Sequence, residues 1–176
     1  MHKYLRLTVL YMLLGILLCS LSACAFKLRN RNELPPQLHV LYLKADDPYG
    51  AFESNLRASL QSSGIMLSDT AAEAPVTLHV LKPQLTYAAG TIGTSNQTRI
   101  YAVTYKVAMI LEDADGKQLL SPMLLSDTRN LVLSANQLIR SNNQLSKLEQ
   151  EMYRDIISQL FNRLSSVQVA EVLQKT

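Results

Sequence analysis

Few side chains in this sequence could make or break a bond, and their spacing limits what that chemistry could be. Cys19 and Cys24 lie five positions apart, after a run rich in leucine. By type alone they could form a redox pair, or one of them could be a thiol that is modified. His39 and His79 each sit in a strand-like run. A lone histidine in such a run is more often a packed or surface side chain than a general base, which needs a partner within hydrogen-bond reach. No HExxH and no paired Cys/His spacing offers a metal site. Gly90-Thr91-Ile92-Gly93 is followed by no GK[ST] and no helix, so it is not a phosphate loop. The acids are scattered, and a turn accounts for Asp113 and Asp115. The residues lead us to expect a binding or structural protein, with no catalytic residue, no metal and no cofactor. A lipid-anchored hydrolase would need His39 or His79 to lie in a cleft beside a serine or a carboxylate.

The cysteines are explained by what surrounds them. His2, Lys3 and Arg6 precede an apolar run from Leu7 to Leu18. That is the length of a secretory h-region and short of the ~20 residues that a spanning helix needs. Leu21-Ser22-Ala23-Cys24 follows, and resembles the bacterial lipobox. Ser22 and Ala23 are small enough for the narrow pocket of a signal peptidase. The expectation is therefore a signal peptide over residues 1–23, with Cys19 leaving with it and Cys24 becoming an acylated first residue. A single acyl chain anchors only marginally, whereas the three chains of such lipoproteins hold a protein on a membrane. Ala25 stands where Asp would retain a lipoprotein in the inner membrane, so the resemblance implies the outer membrane.

Charge and length narrow the rest. The formal net charge is +3, and Lys3 and Arg6 supply two of those charges. With the leader gone, 3 − 2 leaves +1, so no basic field points to nucleic acid. Residues 24–37 read as a lipidated tether, stiffened by Pro35-Pro36. Its Lys27, Arg29 and Arg31 either rest on anionic headgroups or are solvated. Residues 38–166 are long enough for one domain with a core, and residues 167–176 read as a C-terminal tail.

The elements that must position any site follow from periodicity. Leu38–Leu43 reads as a buried strand. The stretch from Asp46 to Gly64 reads as a helix, with Asp46 or Asp47 as cap, Pro48 at the first position, Phe52, Leu56 and Leu60 as its stripe, and Gly64 at its end. Val76 to Ala89 reads as a long strand whose apolar phase changes at Pro83, which predicts a bulge or an edge there. Gly90–Thr98 reads as a loop. From Arg99 to Glu112 alternation is clean. Tyr101, Val103, Tyr105, Val107, Met109 and Leu111 should pack on helices, and Ala102, Thr104, Lys106 and Ala108 should face away. A turn at Asp113–Lys117 leads to a strand from Gln118 to Leu133, interrupted by Pro122. A long helix spans Gln144–Ser165, with Leu145, Leu148, Met152, Ile156, Leu160 and Leu164 as its stripe. The order β-α-β-β-β-α predicts an α+β fold: a four-stranded mixed sheet with two helices on one face. The face carrying Thr104 and Lys106 would then be uncovered. That suits a snug, partly polar lumen and an ordinary surface equally.

Several segments resemble the LptE family of lipopolysaccharide-assembly lipoproteins. They are Cys24-Ala-Phe-Lys-Leu-Arg29, Asp46-Asp-Pro-Tyr-Gly50, the polar run from Asn136 to Gln144, and Leu148 to Leu164 with its Glu-Met-Tyr and later Gln-Leu and Arg-Leu. Ala25 departs from the family's Gly, and Gly90–Thr98 matches poorly. The resemblance implies a non-enzymatic outer-membrane lipoprotein that plugs an LptD-like β-barrel, helps to assemble it, and binds lipopolysaccharide. An auxiliary lipoprotein of another envelope lipid-transport system is the alternative.

Strand directions put the Gly90–Thr98 loop and the Ser134–Asn143 connection at one end, away from the tether. Arg99 and Arg140 would meet there. A basic residue occupies the position matching Arg140 in the family, so the resemblance implies Arg140 as a lipopolysaccharide contact, with Arg99 as its neighbour. Guanidinium forks suit the phosphates of that glycolipid. The bland reading of both is solvated charge or contact with the barrel wall.

Overall fold

The computed structural model describes residues 34–92, 98–134 and 141–175. A 3-10 turn, Pro36–Leu38, leads into β1, Val40–Ala45. Helix α1 spans Ala51–Ser62, β2 Met66–Ser68, β3 Val76–Val80, β4 Gln84–Ile92, β5 Thr98–Asp113 and β6 Met123–Ser134. Helix α2 spans Ser141–Leu164 and α3 spans Val167–Leu173. The fold is α+β, as expected, but the sheet has six strands rather than four, and there are three helices rather than two.

Two of the extra pieces are short elements. Met66–Ser68 pairs in parallel with Val40–Tyr42 as a three-residue edge strand. Val167–Leu173, expected to trail, is helical, and Ser166 Oγ accepts the Val169 N–H at 3.4 Å as its cap. Val169 and Leu173 are buried in the main core.

The remaining strand comes from a break at Pro83. β3 is parallel to β1, and β3 and β4 then pair one after the other along the same edge of β5. Val80 faces Met109, while Gln84 faces Lys106. Four steps on one side are therefore matched by three on the other. The extra residue sits at Leu81–Pro83, where proline has no N–H to give the ladder. This is why Val76, Leu78 and Val80 face the core, and Leu85 takes over beyond the break.

Helix α1 begins later than expected. Pro48 lies in a turn closed by Gly50 N–H donating to Asp47 O at 3.0 Å, and Gly50 is the cap residue. Asp46 is occupied elsewhere, accepting the Lys82 N–H at 3.1 Å. Gly64, at φ +83°, ends the helix as expected, in a conformation that costs other residues a Cβ clash.

Phe52, Leu56 and Leu60 of α1 and Met152, Ile156, Leu160 and Leu164 of α2 cover one sheet face, meeting Val103, Val107, Met109 and Leu111 of β5. Each of these is at most 1% exposed. Phe52, Tyr105 and Tyr153 join the layers as a ring trio, with centroids 5.0–5.7 Å apart. No element among the described residues covers the other face.

Candidate ligand and partner surface

Register brings three strand ends together at one tip. Arg99 of β5 stands between Ile92 of β4 and Leu133 of β6, and Thr98 pairs with Ser134. The opposite end holds the β5–β6 turn, where Asp113 Oδ1 accepts the N–H groups of Asp115 and Lys117 at 3.0 and 2.8 Å. The described chain also enters at that opposite end, since Leu41 pairs with Val76, and Val76 with Asp113.

Arg99 is exposed at the tip. No acid among the described residues forms an ion pair with it. Among the described residues nothing holds its guanidinium back from an anionic ligand. Arg140 and Cys24 lie outside the described residues, so the expected meeting of Arg99 and Arg140 does too. Arg129 shows the contrast. It donates to Asp127 and Glu151 at 2.9 Å each, and also to Asp155. The hydrogen bond to Asp127 is the main cause that raises its pKa. That guanidinium ties β6 to α2 and has little left for a ligand.

The two histidines differ. His39 is exposed where the first 3-10 turn ends, its N–H donating to Pro36 O at 3.1 Å. His79 bridges strands, with Nε2 3.0 Å from Asp46 Oδ1 and Nδ1 3.4 Å from Glu112 Oε1. The hydrogen bond from His79 is the main cause holding Asp46 below its ordinary pKa, with the Lys82 N–H next. Carboxylates therefore flank this imidazole, but no serine, threonine or cysteine side chain hydrogen-bonds to it among the described residues, and the cluster is read as a cross-strand clasp. No group of three or more metal-ligating side chains occurs among the described residues.

One acid has no sequence signal. Glu53, in the first turn of α1, is 3% exposed, and its Oε1 has no hydrogen-bond partner. Burial is the main cause that pushes its carboxyl up. It helps line a dent of about 180 Å³ together with Asp47, Lys82, Tyr105 and Tyr153.

Across β4, β5 and β6 the middle of the uncovered sheet face is polar. Thr86, Thr104 and Thr128 form one cross-strand row, and Thr104 Oγ1 and Thr128 Oγ1 lie 2.9 Å apart. Lys106, between Gln84 and Ser126, carries the charge of the next row. No helix among the described residues is long and apolar enough to cross a membrane.

Comparison with known proteins agrees with this architecture. A solution NMR structure of an uncharacterized lipoprotein B from Nitrosomonas europaea superposes with a TM-score of 0.68. It is 20% identical, and the match covers 85% of this chain and 96% of that one. The LPS-assembly lipoprotein LptE of Yersinia pestis (strain Pestoides F) is 25% identical over 171 residues, covering 95% of this chain and 80% of the relative. The LptE of Yersinia enterocolitica is 34% identical over 64 residues, which is 36% of this chain and 31% of that protein. The model of the family described as LptE, lipopolysaccharide-assembly, matches residues 38–164. This chain belongs to the LptE family of non-enzymatic lipopolysaccharide-assembly lipoproteins.

Proposed function

We propose that this protein is anchored to the outer membrane through acyl chains on Cys24, seats in the lumen of an LptD-like β-barrel, helps that barrel to assemble, and binds lipopolysaccharide. Family membership supports the general role. The observation that carries the ligand end is the exposed guanidinium of Arg99, unpaired among the described residues, at the tip where β4, β5 and β6 converge. Arg140 immediately precedes α2, which begins at Ser141. The two arginines then supply paired forks for glycolipid phosphates. The open sheet face, with its small hydroxyl side chains, suits the polar interior of a large barrel.

The test is lipopolysaccharide binding by Arg140→Glu and Arg99→Glu in the intact barrel complex. Each lost charge-assisted bond is worth about 1.5–3 kcal/mol, so affinity should fall by about ten- to a hundredfold. The melting curve and the yield of complex should match the parent. Parental affinity in both variants would remove the arginine site while leaving the family role intact.

A further inference from the structure

The outer edge of β4 is a row of backbone donors and acceptors with no strand against it among the described residues. β1 pairs the far side of β3 only as far as Val80. There the chain turns away: Asp46 N–H donates to Val80 O at 3.0 Å, and Asp46 Oδ2 accepts the Lys82 N–H. Beyond that point β4 has β5 on one side only. Its register is unbroken from Gln84 to Ala89 and shifts before Ile92. In an antiparallel strand alternate residues turn N–H and C=O away from the partner, so this stretch offers about three free pairs.

The edges at β6 and β2 are managed, and the three residues of β1 beyond β2 carry the charge of Lys44. On β6, Gln159 of α2 donates to Ser126 O at 3.3 Å. Asp127 accepts its neighbour's N–H, and Arg129 bridges to the helix. β2 is only three residues long. Proteins blunt free edges with charges, prolines, bulges or a covering element. Gln84-Leu-Thr-Tyr-Ala-Ala89 holds no charged residue and no proline. The strand is left ready for pairing.

We propose that β4 accepts an extended, uncharged segment of the barrel partner, which prolongs the line of β1 and turns β4 into an interior strand. This rests on the partner named under the proposed function. Alternating amide donors and acceptors are matched by extended backbone, not by acyl chains or sugar phosphates. The absence of charge on β4 rules out recognition by ion pairs there. The wall strands of a closed barrel already use both of their edges. The segment therefore comes from the partner's chain outside its wall, as a loop or a lumenal stretch.

Amide exchange in the full lipidated chain, alone and in the co-expressed barrel complex, tests this. The outward amides of Gln84–Ala89 should exchange fast in the isolated chain. In the complex they should slow by about tenfold or more, the factor of one net hydrogen bond. Exchange over Ser126–Asn130 should change little. Equal rates over Gln84–Ala89 in both states, including amides already slow in the isolated chain, overturn the proposal while the barrel reading stands. Failure to form any complex overturns both. An isolated chain that dimerises with those amides protected shows self-pairing and overturns the choice of partner. Thr86→Pro and Tyr87→Pro separate a ladder from simple burial, because neighbouring residues point their N–H groups oppositely. The outward member should fold like the parent and lose the complex. If it folds and keeps a complex of parental stability, the ladder does not exist.

Discussion

Glu53 and Asp46 are both acids near the start of α1, and the fold treats them oppositely. Burial raises the Glu53 pKa, so the folded state holds its proton more tightly than the unfolded chain does. The stability this supplies is complete below about pH 4 and is lost as pH rises through the folded value. Asp46 is lowered, first by His79. Its contribution is present above about pH 4 and is lost as pH falls through its folded value. Glu53→Gln should therefore raise the melting temperature at pH 7, by an amount equivalent to roughly 1 kcal/mol for relieving a buried carboxylate with one unpartnered oxygen. The gain should shrink towards zero in acid. Asp46→Asn should lower stability at pH 7 and likewise converge on the parent in acid. Melting curves between pH 3.5 and 8 measure both, and a Glu53→Gln offset that stays constant with pH would show that its charge is not at issue.

At the scale of elements, α3 gives the sharpest test. If residues 167–173 merely trailed, Leu173→Ala would change stability by less than about 0.5 kcal/mol. Leu173 is 5% exposed and belongs to the main core, and the Gln37 side-chain amide donates to its carbonyl at 3.4 Å. The expected loss is about 2 kcal/mol or more, read from the denaturation midpoint. That helix escaped a periodic reading because seven residues make barely two turns, too few to show a stripe. β2 escaped for the same reason, with three residues. β5 was legible because one face is buried along most of its length and the other is not, so alternation survives over many residues. The break at Pro83 was legible from a change of parity, since one inserted residue exchanges the faces of everything after it. The start of α1 was misplaced because Asp46 is held by Lys82 and His79, contacts remote in sequence. The site was less legible. Arg99 and its strand-end setting followed from strand directions, whereas the open edge of β4 shows in sequence only as missing charges, which periodicity does not weigh.

The whole molecule is graded along β5. Its sixteen residues span about 50 Å at 3.3 Å per residue. Val107, Met109 and Leu111 lie under α1 and α2 and are at most 1% exposed. Towards the other end Tyr101 is half-buried, Arg99 is exposed, and Ala88 to Gly90 on the neighbouring strand are exposed. The helix layer thins there to the early turns of α2, where Leu145 and Leu148 only partly cover the sheet. Local opening costs least where few apolar groups are buried. Native-state exchange of the isolated protein should therefore rank the amides of β5. Those of Ile100–Ala102 should open at low denaturant, and those of Val107–Leu111 only with global unfolding. A ligand or partner held at the tip adds RT ln(1 + [L]/Kd) to the opening cost, so saturating lipopolysaccharide should move the tip amides towards the base amides and leave the latter nearly unchanged. Tip amides that already exchange only by global unfolding would mean the molecule is uniformly rigid, and that its binding end carries no spare freedom for a ligand to order.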